Sequence, residues 1–227
     1  MLLRHNKFFI LLIFICSIIS AEEKPVKKIV SQYTEFERKN NNVKFIGDVK
    51  VELKDGYILC DKAEYNEKEG KLFCESDKNI YFVYFSTTDN AQIEIKCSYL
   101  KYYTNQQHIE CEKDVFLIYR STPSNEKIIE ELSVNSQKMF FDIKNKNLIC
   151  KYNVEISQKG NKIFCEIANY EYEKGTITIN ENLETKQQLK FISTSDDFKI
   201  KTCQANTAVI YIYQNKILLK GKVEVVF

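Results

Sequence analysis

Leu59-Cys60-Asp61-Lys62-Ala63-Glu64-Tyr65 is the stretch that decides the fold, because its spacing returns along the chain. A small residue is followed three positions later by an apolar one and, usually, five positions later by an aromatic. Further copies are Cys97…Leu100…Tyr102, Ser136…Met139…Phe141, Cys165…Ala168…Tyr170 and Thr202…Ala205…Thr207. Fourteen residues after each of the first three anchors stands another cysteine: Cys74, Cys111 and Cys150. A polar turn and an alternating strand then follow, as in Asp114-Val115-Phe116-Leu117-Ile118-Tyr119 and Asn153-Val154-Glu155-Ile156. One such unit is too small to bury its own apolar face, so the units stack into one sheet system. The expectation is an all-β, repeat-built antiparallel scaffold, solenoid-like or jelly-roll-like, of a kind that binds rather than catalyses.

Almost every segment after Asn42 alternates apolar and polar residues with period two, the signal of a half-buried strand. Shared parity puts Val49, Val51, Ile93, Ile95, Ile109, Val115, Leu117, Val154 and Ile156 on one interior face. A slip of one residue would turn all of them outward. Asn66 to Gly70, Thr104 to Gln107, Lys144 to Asn147 and Lys159 to Asn161 have the Asn, Lys and Gly content of hairpin turns. Only Lys127 to Leu132 hints at a helical turn, and no long helix is visible, which excludes parallel β/α folds.

Arg4, His5 and Lys7, then the apolar run Phe8 to Ile19 and the small residues Ser20-Ala21, read as an export signal over residues 1–21. The run is shorter than the roughly twenty residues a membrane span needs. Cleavage near Glu22 and retention as an N-terminal anchor both remain open. Residues 22–42 read as a polar lead-in, and residues 43–227 as one β domain. Without Arg4 and Lys7 the chain carries 31 basic and 31 acidic residues, so it has no electrostatic footprint for nucleic acid.

Seven cysteines follow the leader: Cys60, Cys74, Cys97, Cys111, Cys150, Cys165 and Cys203. The fourteen-residue offset centres on a turn, so Cys60 is expected to face Cys74, and Cys97 to face Cys111, across hairpins. An exported location permits disulfides in these two pairs. The other reading is a small buried apolar residue repeated with its unit, since Ser136 and Thr202 take the same slot.

Nothing points to catalysis, a metal or a cofactor. No C-x-x-C occurs, and the single histidine after the leader, His108, reads as a solvated loop residue. No nucleophile elbow, phosphate-cradling glycine loop or HExxH is present. Glu130-Glu131 and Asp196-Asp197 read as solvated pairs. The expectation is no enzyme, no catalytic residue and no metal ligand.

Phe45-Ile46-Gly47-Asp48-Val49-Lys50-Val51, Leu59 to Tyr65, and Gly70-Lys71-Leu72 together resemble the repeating pattern of the OstA-like/LptA family of periplasmic lipopolysaccharide transport proteins. Leu219-Lys220-Gly221-Lys222-Val223-Glu224-Val225 repeats its glycine-turn-valine element. The departures are the many cysteines, the six glycines, and Asp or Asn at the glycine turn in the middle repeats. The resemblance implies a twisted, V-shaped jelly roll whose apolar groove holds the acyl chains of lipid A. The nine interior residues would then contact lipid. It also implies docking, by edge-strand addition, with lipopolysaccharide-transport proteins at the inner and outer membranes, and head-to-tail self-association. The expected edges are the strand carrying Val43 and Phe45 and the final strand carrying Val223, Val225 and Phe227. Two alternatives stay open: an LptC-like relative tethered at the inner membrane, and a structural β-solenoid that binds no lipid.

Overall fold

A computed structural model describes residues 25–37, 41–86, 90–121, 130–158, 160–171, 174–180, 189–193, 201–211 and 216–226. The export-signal segment, Lys127 to Ile129, Asp196-Asp197 and Phe227 lie outside the described residues. The strands are β1 (Val26–Val30), β2 (Tyr33–Glu37), β3 (Asn42–Leu53), β4 (Gly56–Asn66), β5 (Lys71–Ser86), β6 (Ala91–Tyr103), β7 (His108–Ser121) and β8 (Glu130–Asp142). They continue as β9 (Asn147–Gln158), β10 (Asn161–Glu171), β11 (Thr176–Asn180), β12 (Leu189–Ser193), β13 (Thr202–Ala205), β14 (Thr207–Tyr211), β15 (Lys216–Lys220) and β16 (Glu224–Val226). All pair antiparallel in one open sheet, which meets the all-β, jelly-roll expectation.

The sheet is creased along one line. Strands β3 to β10 each lose register near their middle, at Ile46/Val49, Leu59/Lys62, Glu75/Ile80, Lys96/Tyr99, Glu112/Val115, Asn135/Lys138 and Cys165/Ile167. A bulge bends a strand and sharpens its twist, so bulges aligned across neighbours fold the whole sheet. Left-handed residues mark the bend: Gly47 and Asp48, Lys113 and Asp114, Tyr152 and Asn153 all have positive φ. Asp, Asn and Gly tolerate that region best, which is why they precede Val49, Val115 and Val154. The polar turns expected before Val115 and Val154 are therefore bulges inside continuous strands, not hairpins, like the bend at Gly47-Asp48.

At both ends of the sheet the strands break at the crease instead of bending. β1 pairs with residues 50–53 of β3, while β2 pairs with residues 42–46. Beyond β10 one arm continues through β11, β14 and β15, and the other through β12, β13 and β16. One arm, here the hairpin arm, holds β2, the turns at 67–70, 104–107 and 143–146, and β15; the opposite arm holds β1, the turn at 54–55, and β16. In the fifth sequence copy the crease is a break, with Ala205 ending β13 and Thr207 opening β14.

Four expectations are corrected here. Residues 26–37, read as lead-in, form two strands, which sequence patterning missed because each is five residues long and largely exposed. In consequence β3 is no edge: Val43 pairs with Phe36 and Phe45 with Thr34. The C-terminal strand is two strands on different arms, parted at Gly221, which has a positive φ. Within the described half of the helical hint, Glu130 to Leu132 are strand instead, since β8 begins at Glu130.

A groove between the arms of the creased sheet

The inward faces of the two arms form one core that runs from Val49 to Ile210. All nine residues assigned to the interior by parity, Val49 through Ile156, are buried in it. Ring contacts show that the arms meet. Tyr84 on β5 and Phe141 on β8 pack edge to face with centroids 5.8 Å apart. Tyr119 on β7 and Tyr170 on β10 do the same at 6.0 Å. Each pair is three strands apart in the sheet, about 14 Å at ordinary strand spacing. Such contacts can only cross the interior. Both pairs stand four or five residues from the crease, and so clasp the rim rather than the hinge.

The aromatic five positions after each anchor thus has a structural role: Tyr65, Tyr102, Phe141 and Tyr170 line the rim of the hairpin arm. Burial pushes the Tyr102 phenol up to about 12, with Asp55, Tyr65 and Tyr84 adding to the shift in that order. Tyr65, Tyr84 and Tyr102 therefore gather at one place on the rim.

Beneath the clasp lies a cleft of about 30 Å³ whose reachable wall is wholly apolar. Ile93, Leu117, Tyr119, Leu132 and Val134 contribute from one arm; Phe141, Leu148, Ala168, Tyr170 and Ile177 contribute from the other. Lys146 is the one charged residue at this cleft. A second cleft of about 70 Å³ shares Leu132, Ile156 and Ile177 with the first, and extends past Ile163, Phe191 and Ile210 to Ile217, with Gln158 and Asn161 as the polar part of its wall. The apolar path therefore runs toward the C-terminal end, where the two arms part.

Of the nine residues assigned by parity, Ile93, Leu117 and Ile156 line the first cleft. Val49, Val51, Ile95, Ile109, Val115 and Val154 are buried closer to the crease or toward the N-terminal end, away from its wall. Sequence reasoning missed Tyr119, Leu132, Phe141, Tyr170 and Ile177 as lining residues. The signal for Phe141 and Tyr170 was present in the aromatic slot of the repeat.

The anchors lie at the crease, beside the register shifts at Leu59/Lys62, Lys96/Tyr99, Asn135/Lys138 and Cys165/Ile167. All seven described cysteines are buried, and all are free thiols. The expected direct facing of cysteines is corrected: Cys74 opposes Ala63, and Cys111 opposes Leu100, because Cys60 and Cys97 sit in the bulges. The thiols nevertheless meet diagonally. Side-chain contact with Cys60 raises the Cys74 thiol, and contact with Cys97 raises the Cys111 thiol, each together with burial, well above the ordinary thiol range. Cys150 bonds instead to Ser136. Asp61, outside the crease, accepts hydrogen bonds from the Ser76 hydroxyl at 2.6 Å and the Asp77 N–H at 3.0 Å, which hold its carboxyl below its usual range. They tie down the four-residue excursion Ser76 to Asn79 of β5.

His108 opens β7 rather than lying in a loop, with its ring 5.5 Å from that of Tyr103 and 6.2 Å from that of Phe140. Its Nε2 is 3.5 Å from Glu110.

No protein-family model matches this chain, and no curated protein matches it. Among solved structures, it is similar to the crystal structure of LptH, the LptA homologous periplasmic component of the conserved lipopolysaccharide transport device from Pseudomonas aeruginosa. That likeness has a TM-score of 0.51 at 11% identity, and covers 60% of this chain and 96% of the other. The creased sheet is an LptA-like fold.

Proposed function

We propose that this chain is a non-catalytic carrier of lipopolysaccharide, one section of an LptA-like periplasmic bridge between inner and outer membranes. The observation that carries the reading is the largely apolar path between two arms of an open sheet, in a fold shared with a lipopolysaccharide-transport component. Moving a lipid through water exposes about 0.8 kcal/mol per CH₂, on the order of 10 kcal/mol for a twelve-carbon chain. An apolar groove offsets that without any chemistry. Lipid A acyl chains would lie between the arms, against Ile93, Leu117 and Ile156 and the rim aromatics.

The cleft holds about 30 Å³, room for about two waters. An acyl chain enters only if the arms part, so the rim clasp of Tyr84–Phe141 and Tyr119–Tyr170 opens as the chain is admitted. The crease stays closed.

The groove continues beyond one molecule if chains stack head to tail. β15 and β16 end the two arms at one side; β2 and β1 end the same two arms at the other. Their exposed apolar residues, Ile217, Leu218 and Val226 against Val30, Tyr33 and Phe36, suit strand addition. The partners are further copies or transport proteins at either membrane.

A photo-crosslinking side chain at Leu117 should capture lipopolysaccharide in cells, and one at the outward-facing Ile118 should not. Mass spectrometry of lipid co-purified with the protein identifies the ligand. Equal capture at both positions, or no bound lipid, would reject the carrier reading and leave the packed interior as a structural core.

A further inference from the structure

The second cleft between the arms meets polar surface at the tip of the β9–β10 hairpin. Gln158 ends β9 and Asn161 opens β10, and the two pair across the turn. Each shares its parity with a buried residue two positions away, Ile156 and Ile163, so both amides stand on the groove side of the rim. Both line the second cleft. The same two residues also line a shallow cup of about 410 Å³, whose other walls include Glu131, Ser133, Ser157 and Lys162. These four alternate with Leu132, Ile156 and Ile163, so the cup opens on the outer face. An apolar cleft and a polar cup thus share one wall, made of two carboxamides. The Asn161 Oδ1 is buried and accepts no hydrogen bond among the described residues. A buried amide oxygen ordinarily has a donor. The turn itself does not require amides, since Leu53 holds the corresponding place at the β3–β4 tip.

We propose that this tip seats the head of the bound amphiphile, a neutral, hydroxyl-rich group such as a sugar ring, with Gln158 and Asn161 holding it in the cup while its acyl chain lies in the apolar cleft. The inference rests on the lipid-carrier reading, and adds to it where the head lies and what chemistry it has. A carboxamide both donates and accepts hydrogen bonds, as a hydroxyl does, so each amide can meet a sugar edge with complementary bonds. Asn161 Oδ1 then gains the donor it otherwise lacks. Charge points to the same class of head. Lys162 Nζ bonds Glu155 Oε1 at 2.7 Å, and Glu131 Oε2 accepts from Arg120 Nε at 2.9 Å. Arg120 also bonds Glu94. In these pairs three carboxylates stand against two cations, a balance that disfavours a phosphate or carboxylate head. What remains to a ligand in the cup is hydroxyls and amides. The junction of head and tail falls at the shared wall.

Octyl glucoside and octyl phosphate carry the same tail on a sugar and on an anionic head. The test is the affinity of the full-length protein for each, below its micelle concentration, by isothermal titration calorimetry. The native protein should bind octyl glucoside about tenfold more tightly than octyl phosphate, the size expected of one or two hydrogen bonds. A Gln158→Leu, Asn161→Leu variant should lose that preference and bind octyl phosphate as the native protein does. Equal affinity of the native protein for the two, or tighter binding of the phosphate, would overturn the head seat and leave the apolar carrier standing. A preference that survives in the variant would do the same. Binding of neither amphiphile would overturn both readings, since the interior would then be a packed core. The comparison of heads on the native protein decides the matter without the variant, should the variant fail to fold.

Discussion

Tyr84 and Phe141 touch across the interior with their rings at 74° although their strands lie three apart in the sheet. Edge-to-face pairs are worth about 0.5–1.5 kcal/mol beyond the area they bury. A double-mutant cycle of Tyr84→Ala and Phe141→Ala, read by urea unfolding, should therefore show coupling of about that size. The same cycle on Tyr84 and Phe73, which points to the outside of the hairpin arm, should show coupling near zero. Absence of coupling between Tyr84 and Phe141 would mean that the arms do not close at the rim.

Alkaline pH should loosen the fold in a defined window. Burial raises the Cys150 thiol from 9.0 to about 12, helped by Cys165 and opposed by its Ser136 hydrogen bond. Burial also raises Cys165 to about 12, with Glu166 adding to it. The folded state favours the protonated form of each. Their stabilisation is therefore complete below pH 9 and is lost as pH rises toward 12. The slope is up to about 1.4 kcal/mol per pH unit for each group. Unfolding midpoints measured from about pH 8 to 11 should fall steeply in the native protein. In a Cys150→Ala, Cys165→Ala variant they should fall less. Parallel curves would place these thiols in water.

What could be read from sequence was whatever obeyed one parity within one unit. The repeat, the all-β class and the burial of Val49 through Ile156 follow from alternation alone. The pairing of Cys60 did not, because a bulge displaces one strand against its neighbour and alternation is blind to that. The rim contacts were hidden for a different reason. Tyr119 meets Tyr170 only after the crease folds one arm onto the other, and no local pattern records which distant strands then meet. β1 and β2 escaped because a short exposed strand is held by hydrogen bonds to β3, not by an apolar face.

Gly47 is where the first strand crosses the crease, with φ at +79°. A Cβ there would come 2.5 Å from Gln32 Oε1, while the Gln32 N–H bonds the Gly47 carbonyl at 3.0 Å. The Gln32 side chain can swing away, so the backbone conformation sets most of the penalty, roughly 1–2 kcal/mol for a side chain in the left-handed region. Gly47→Ala should lower stability by about that amount, and Gln32→Ala in addition should restore little of it. Full rescue by Gln32→Ala would show that crowding, not φ, selects glycine.

The last prediction concerns the two ends. An exposed strand edge invites pairing with another chain, and natural monomers blunt such edges with charge, proline or bulges. Here the edges carry apolar side chains in the open: Tyr33 is 59% exposed, Phe36 61% and Val226 53%. The surfaces at the two ends differ, so association through them would be heterologous, giving an open filament unless the rotation between copies closes a ring. Leu218→Lys with Val226→Lys should block growth at β15 and β16 while leaving β1 and β2 free. Tyr33→Lys with Phe36→Lys should do the converse. Each variant alone should then cap assemblies of the native protein, shifting sedimentation to shorter species in proportion to the amount added. A mixture of the two variants should still form heterodimers, through the one intact edge each retains. As surface changes they should alter unfolding stability by no more than about 0.5 kcal/mol, and lipid capture at Leu117 should persist. If both variants assemble like the native protein, chains do not meet through these edges. The groove then ends where the molecule does.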